Sequence, residues 1–166
     1  MIPQPTFKQR LYPLIIACAA FVMFSLPFGA FVQGDNPLDF TLVDMDGNRV
    51  RLGDLAEGKP LLLYFWAIWC KPCRLVQPQV AALAKEYEGR LTVLGINVGG
   101  VDSLKSIKKY RKRYKIPYLL LMDSDNLTVE AYSVFAIPTV MLLNKSGKIL
   151  FRDNKAPTDL EKLLPG

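Results

Sequence analysis

Residues 61–74 read Leu61-Leu-Leu-Tyr-Phe-Trp-Ala-Ile-Trp-Cys-Lys-Pro-Cys-Arg74, an apolar run that leads directly into two cysteines separated by two residues. A continuous apolar stretch of this length predicts a strand from Leu61 to Ala67 that is buried on both faces. From Lys71 to Glu88 the apolar residues recur with the period of a helix. Cys70 and Cys73 are therefore expected where a buried strand ends and a helix begins.

This position gives the two cysteines different chemistry. Backbone N–H groups and the dipole at a helix N-terminus favour negative charge, so Cys70, in the first turn, is expected to have a lowered thiol pKa and to supply the attacking thiolate. Cys73 lies one turn further along and can reach the first sulfur. Pro72 needs no helical N–H here and stiffens the turn. The competing interpretations of such a pair are half of a metal site and two packed cysteines.

Composition excludes several kinds of chemistry. The 166 residues contain no histidine and three cysteines. The lack of histidine removes the commonest general base, the commonest transition-metal ligand and every Cys/His nucleophile pair. Three cysteines alone cannot complete an ordinary tetrahedral zinc site, and Arg74 stands where covalent haem attachment requires histidine. The sequence predicts no metal and no cofactor.

The N-terminal segment has the pattern of a membrane anchor. From Leu11 to Val32, 22 residues carry no charge, and Lys8 and Arg10 precede them. As a helix this stretch would span roughly 33 Å, about the thickness of a bilayer's hydrocarbon core, and the positive-inside rule places its basic end in the cytoplasm. The predicted parts are a cytoplasmic N-terminus (residues 1–10), a signal anchor or transmembrane helix (residues 11–33) and an extracytoplasmic domain (residues 35–166).

Two alternatives concern the same segment. The run Leu14 to Phe24 has the length of a signal-peptide core, and its cleavage would release a secreted or periplasmic domain. Phe28 stands where a cleavage site prefers a small residue, which favours the uncleaved anchor. Cys18 follows Ile-Ile-Ala in a loose likeness to a lipidation signal, but the apolar stretch continues well beyond it. Under each alternative the domain is exported, which disfavours nucleic acid as a partner.

The exported part alternates strand and helix signals. Two short alternating segments around Asp46-Gly47 indicate a hairpin within Asp39 to Leu52. Asp102 is predicted to cap a strongly basic helix, and Thr158 to cap a short last helix that ends before Pro165. The remaining predicted strands are Leu91–Val98, Tyr118–Met122, Thr139–Leu143 and Lys148–Arg152, and the remaining predicted helices are Ser103–Tyr114 and Asn126–Tyr132. This order predicts a mixed α/β sheet with both faces covered by helices.

The segment Leu62 to Arg74 resembles the active-site strand and helix of the thioredoxin superfamily. Together with Asp39-Phe-Thr-Leu, Asp46-Gly47 and Leu52-Gly-Asp-Leu55, it resembles the TlpA/ResA branch of membrane-anchored, extracytoplasmic thiol/disulfide oxidoreductases. The resemblance covers about residues 38–164. It implies a thioredoxin-like fold: a mixed central sheet flanked by helices, with an N-terminal hairpin and a TlpA-type insertion from Tyr118 to Tyr132.

The resemblance also implies roles for residues. Cys70 and Cys73 would form the redox-active disulfide, within a motif completed by Trp69, Lys71 and Pro72. Ala136-Ile137-Pro138-Thr139 matches the family's cis-proline loop, so Ile137 and Pro138 would form the substrate platform.

The implied activity is reduction of disulfides in exported proteins, such as apocytochrome c during cytochrome c maturation, with electrons from a membrane-embedded thiol carrier. The sequence leaves open a disulfide oxidase or isomerase, and a redox-linked binding module with weak turnover.

Two positions depart from the family pattern. Tyr64 stands where thioredoxins keep a buried Asp, and Val76 stands where many ResA-like proteins carry a Glu. We therefore expect Cys73 to deprotonate slowly. Lys71 adds a positive charge beside the Cys70 thiolate, and its alternative is a solvated surface lysine.

The predicted basic helix is unusually rich in cations. Between Lys105 and Lys115, seven of eleven residues are Lys or Arg. This density fits a solvated helix face, a surface that docks an acidic partner, or one that rests on anionic lipid headgroups.

Overall fold

The computed structural model describes residues 40–164, all within one compact unit that spans Gly34–Gly166. The strands are β1 (Thr41–Asp44), β2 (Arg49–Arg51), β3 (Leu61–Trp66), β4 (Thr92–Val98), β5 (Leu119–Asp123), β6 (Thr139–Leu143) and β7 (Ile149–Asp153). The helices are α1 (Leu52–Ala56), α2 (Cys73–Glu86), α3 (Leu104–Tyr114) and α4 (Leu127–Ala131). The predicted parts at residues 1–10 and 11–33 lie outside the described residues, as does Cys18.

The strands form a seven-stranded sheet in the order β2-β1-β5-β4-β3-β6-β7. β4 pairs in parallel with β3 and with β5, whereas β6 runs antiparallel to β3 and to β7. The hairpin of β1 and β2 joins antiparallel to β5. This mixed sheet is the predicted thioredoxin-like arrangement, with the β5–α4 segment at the place of the predicted insertion.

The central strand β3 is buried on both faces, as its apolar run predicts. Its residues divide alternately between two hydrophobic clusters, one on each side of the sheet. Leu62, Tyr64 and Trp66 pack with residues of α2 and α3. Leu61, Leu63 and Phe65 pack in the second cluster, which includes residues of α1. Both clusters hold β3 in place, so the position at which the chain leaves its end is well defined.

On the side of the sheet that carries α2, the side chains of Leu120 and Tyr118 pack closely against Gly95. A Cβ atom on Gly95 would lie 2.6 Å from Leu120 Cδ2 and 2.9 Å from Tyr118 Cε2. Such separations are far inside ordinary contact, so β4 requires glycine here for these side chains to pack across the strand.

Three details differ from the sequence expectations. The helix predicted from Lys71 begins at Cys73, because Lys71 and Pro72 form the preceding turn. The short helix α1 was not predicted: its five residues are too few for propensity to reveal, and burial of Leu52 and Ala56 stabilises it. The predicted last helix after Thr158 is wrong, since residues 154–164 contain only bends and turns.

Candidate active site

Cys70 and Cys73 form a disulfide in the turn that connects β3 to α2. Their Cα atoms lie 5.3 Å apart. Cys70 N–H donates to the Ala67 carbonyl at 3.2 Å, which closes the turn after the strand. Cys70 is 3% exposed and Cys73 is 0% exposed. Cys70 therefore retains slight contact with solvent, whereas Cys73 is fully buried.

The start of α2 faces the sulfur of Cys70. The Cys73 N–H donates to Cys70 Sγ at 3.2 Å, and no acidic residue occupies the first turn of the helix. Cys70 therefore lies three residues before the helix begins, a correction to the expectation that it forms part of the first turn. The electrostatic consequence is unchanged, because the first-turn N–H still points at this sulfur and stabilises negative charge there.

Tyr64 occupies the position of the missing buried acid beneath the disulfide. Its hydroxyl donates to the Cys73 carbonyl at 2.7 Å, and the side chain is fully buried. Burial is the main reason that the pKa of Tyr64 is raised far above its usual value. The phenol is therefore neutral and fixes the backbone of Cys73 rather than accepting its proton. Val76, at the other expected acid position, is buried in the same apolar cluster as Cys73.

Asp102 supports the turn from the loop that follows the neighbouring strand β4. Its Oδ2 accepts a hydrogen bond from the Ile68 N–H at 2.7 Å and from the Asn97 side-chain amide at 2.8 Å. Ile68 stands two residues before Cys70, so this carboxylate anchors the backbone that leads into the redox pair. The predicted cap role of Asp102 is wrong: Ser103 caps α3, with its hydroxyl accepting from the Ser106 N–H.

A sequence signal for Asp102 was present. It follows Gly99-Gly100 at the carboxyl end of β4, and β4 is the parallel neighbour of β3. The carboxyl ends of parallel neighbours meet at one edge of the sheet, so an Asp in the first loop after β4 was a candidate for contact with the turn after β3.

Strand pairing brings the predicted substrate platform to the same edge. Thr139 pairs with Phe65, so Pro138 stands at the end of β3 from which the turn departs. The Ile137–Pro138 peptide bond is cis, as the resemblance implies. Pro138 is buried and Ile137 packs against both hydrophobic clusters. The structure thus brings Ile137 and Pro138 to the end of the sheet that carries Cys70 and Cys73.

Large apolar side chains are exposed around this edge. Trp69 is 58% exposed and Leu75 73% exposed, and these residues flank the cysteine pair in the chain. Phe135, two residues before Ile137, is 96% exposed. Lys71 and Pro72 are also exposed. Exposed apolar residues near a reactive group are typical of a surface that contacts another protein.

Within residues 40–164, no three metal-ligating side chains come together as a cluster. In that same part of the chain, no helix has the length and hydropathy needed to cross a bilayer.

Comparisons with known proteins show which proteins this chain is similar to. Residues 33–152 match the sequence model of the AhpC/TSA family. The thiol-disulfide oxidoreductase ResA of Bacillus subtilis (strain 168) is 30% identical over 153 residues, which cover 86% of this chain and 84% of that protein. The thioredoxin-like protein YneN of the same organism is 35% identical over 118 residues, covering 70% of this chain and 68% of that protein.

A solved structure has a similar fold. The exposed lipoprotein thioredoxin of Streptococcus pneumoniae strain TIGR4 has a TM-score of 0.62 to this chain at 29% identity. The match covers 75% of this chain and 97% of that structure.

Proposed function

The chain belongs to the AhpC/TSA family and is a thiol-disulfide oxidoreductase of thioredoxin-like fold, and from this premise we propose that it reduces disulfides in exported proteins outside the cytoplasm. Cys70 is the nucleophile and Cys73 the resolving thiol. The observation that carries this assignment is the hydrogen bond from the Cys73 N–H, at the start of α2, to the sulfur of Cys70. Within residues 40–164, only the sulfur of Cys70 accepts a hydrogen bond from the start of α2, and this bond stabilises its thiolate.

The reaction proceeds in two exchanges. The Cys70 thiolate attacks one sulfur of a substrate disulfide, so that a Cys70–substrate bond forms, the substrate bond breaks and the other substrate sulfur leaves as a thiolate that takes up a proton. Cys73 then loses its proton and attacks Cys70 Sγ. The second substrate sulfur leaves and is protonated. The substrate has gained two electrons and two protons, and the protein carries the Cys70–Cys73 disulfide seen in the structure.

The surroundings of the pair support a protein as the substrate. Trp69, Leu75 and Phe135 offer exposed apolar surface beside the reactive turn. Ile137 and Pro138 form the platform that positions the substrate backbone, a role supported by the family resemblance and by their place at the end of β3. Lys71 adds positive charge next to the thiolate.

The reducing direction rests on the likeness to ResA and is tested by the reduction potential of the Cys70/Cys73 couple. Equilibration of the purified protein with defined glutathione buffers gives this potential. A value near that of thioredoxin, about −270 mV, supports a reductase, whereas a value near about −120 mV identifies an oxidant.

A redox-linked binding module is the second candidate function. The neutral Tyr64 and the apolar Val76 leave Cys73 without the family's usual proton acceptor, which favours weak turnover. Multiple-turnover reduction of a model disulfide separates the two functions: a binding module completes one turnover and then stalls with reductant still present.

Localisation follows from the N-terminal sequence. We place residues 1–10 in the cytoplasm, residues 11–33 across the membrane and residues 35–166 outside, on the strength of the 22-residue uncharged span and its basic flank. Electrons then come from a membrane-embedded thiol carrier, and apocytochrome c is a candidate substrate. Intact-mass spectrometry of protein from membranes should show the full N-terminus. A species that begins near Phe31, or a lipidated species that begins at Cys18, would overturn the anchor.

A further inference from the structure

A basic groove opens beside the redox pair, along the side of α3. Its cavity volume is about 270 Å³, and Ile68 contributes to its lining. The other lining residues are Arg74, Ser106, Lys109, Tyr110, Arg113 and Tyr114. Ile68 stands two residues before Cys70, and Arg74 directly follows Cys73. The groove therefore adjoins the place where a substrate disulfide must lie to react.

In the part of the chain that the structure describes, the cations of this groove form no ion pair with an acidic residue. Among residues 40–164, the ion pairs are Lys59–Glu57, Arg90–Glu161, Lys108–Asp46 and Lys162–Asp159, and none includes Arg74, Lys109 or Arg113. Three unneutralised cations that share one concave surface attract an anion and repel another cation. A second surface depression on the same helix differs, because Lys108 there faces Asp46.

Aromatic contacts define the groove's shape. The rings of Tyr110 and Tyr114 lie 4.4 Å apart between centroids, and the Arg113 guanidinium lies 5.7 Å from the centre of the Tyr114 ring. Burial is the main cause that raises the pKa of Tyr110, the positive charge of Arg74 acts in the opposite direction, and both residues line the groove. With its pKa raised, the Tyr110 phenol is neutral, and it lines the groove together with the cations.

We propose that this basic groove binds acidic side chains that flank the attacked cysteine in a protein substrate, so that the enzyme prefers disulfides next to Asp or Glu. The inference rests on the proposed function and specifies its substrate class. An extended chain advances about 3.3 Å per residue. Arg74 directly follows Cys73 in the chain, so the groove is only a few residues' reach from a substrate cysteine bound at Cys70. We therefore expect the groove to select Asp or Glu residues within a few positions of that cysteine. Guanidinium groups are well suited to them, since they bind carboxylates with two parallel hydrogen bonds.

The test measures single-turnover reduction of disulfide-bonded peptides by the full chain, purified in detergent and pre-reduced. One peptide carries two Glu residues beside a cysteine, and the matched peptide carries two Gln residues. At low salt, we expect the Glu peptide to react about tenfold faster, and the advantage to fall toward unity in 0.5 M NaCl as charges are screened. Equal rates for the two peptides at low salt would overturn the proposal.

Matched variants on α3 locate the effect. Lys109→Gln and Arg113→Gln should each reduce the preference for the Glu peptide about threefold, in line with the effect of single exposed charges. Arg111→Gln and Lys112→Gln remove the same charge from the same helix but outside the groove, and should preserve the preference. If all four variants reduce the preference equally, the net charge of the helix acts rather than the groove, and the proposal is wrong.

Two further outcomes distinguish the groove proposal from the proposed reductase function and from binding to lipid. Failure to reduce either peptide would count against the proposed reductase function itself, whereas equal reduction of both would count only against the groove. Vesicles with and without phosphatidylglycerol test the lipid alternative. If Lys109→Gln and Arg113→Gln weaken vesicle binding but leave the peptide preference intact, the surface serves the membrane and the substrate proposal is overturned.

Discussion

The two faces of β3 pack into different hydrophobic clusters, and only one of these clusters contains the cysteine pair. Leu61, Leu63 and Phe65 pack on one face into a cluster of hydrophobic residues drawn from the sheet, from α1 and from the segment around Tyr132. On the other face, Tyr64 and Trp66 belong to the hydrophobic cluster that contains Cys70 and Cys73, and they bring polar atoms into the core. The Tyr64 hydroxyl binds the Cys73 carbonyl. Both faces therefore stabilise β3, and the face that packs with Cys70 and Cys73 also fixes the backbone of the redox turn.

The largest effect on stability is expected from Leu63→Ala, on the face away from the disulfide. Leu63 is fully buried, and truncation of such a residue costs about 2–5 kcal/mol through lost burial and the cavity left behind. Urea unfolding measures this loss. The reduction potential of the folded variant should stay at the parent value, and a clear shift would contradict the separation between the two faces.

On the face beneath the disulfide, Val76→Glu should change the chemistry. Cys73 must lose its proton in a fully buried position, where desolvation disfavours the thiolate, so the parent's resolution rate should rise with pH. A carboxylate at position 76 would accept this proton and accelerate resolution near neutral pH by roughly 10²-fold. Stopped-flow reduction of a model disulfide between pH 6 and 9 measures both rates.

Val76→Gln is the control for this experiment, since it has a similar size and no basic group. It should retain the slow, pH-dependent resolution of the parent. If the parent rate is flat with pH and Val76→Glu leaves it unchanged, another base serves Cys73 or a different step limits turnover, and the account of the missing acid fails.

A smaller effect is expected at Asp102, which links the redox turn to the end of β4. Asp102→Ala leaves the Ile68 N–H without its acceptor, and loss of such a charged hydrogen bond costs about 1.5–3 kcal/mol. Asp102→Asn keeps an oxygen acceptor and should recover most of this loss. The positioning role also requires a change in the Cys70/Cys73 reduction potential in the Ala variant that the Asn variant reverses. Equal potentials in all three proteins would leave Asp102 with a purely structural role.

The smallest effect is expected from Tyr64→Phe, which keeps the ring and removes the hydroxyl. Loss of the bond to the Cys73 carbonyl should cost about 1 kcal/mol. Because the phenol is neutral at physiological pH, the pH dependence of resolution should not change. A flattened pH profile in this variant would show that Tyr64 takes part in proton transfer.

The comparison of the faces also explains what the sequence could predict. The apolar run of β3, the alternation of the hairpin and the helical period after Cys73 are local patterns, and they led to the correct sheet and to the confirmed family resemblance. The contact between Asp102 and Ile68 joins positions 34 residues apart, so it could be inferred from the parallel pairing of β3 and β4 but not from local patterns. Short elements were the other difficulty: α1 depends on burial of Leu52 and Ala56, while the segment after Thr158 has the composition of a helix but forms only turns.

The basic helix α3 also combines a feature that the sequence reveals with one that depends on the tertiary fold. Its density of Lys and Arg was visible in the sequence, but that density fitted three interpretations, of which a solvated helix face was the simplest. The fold distinguishes Arg113 and Lys109, which line the groove beside the redox pair, from Arg111 and Lys112, which line a different surface. Which cations share a concave surface with Arg74 depends on how the helices are placed on the sheet, and this is a property of the tertiary fold.

The central claim is that Cys70 attacks and Cys73 resolves, and trapping of mixed disulfides tests it most directly. The pre-reduced variants Cys73→Ser and Cys70→Ser are each mixed with a disulfide-bonded substrate, quenched with acid and analysed by peptide mass spectrometry. The account predicts that Cys73→Ser accumulates a substrate adduct on Cys70 and that Cys70→Ser accumulates none. An adduct on Cys73 in the Cys70→Ser protein, with none on Cys70 in the other variant, would contradict it.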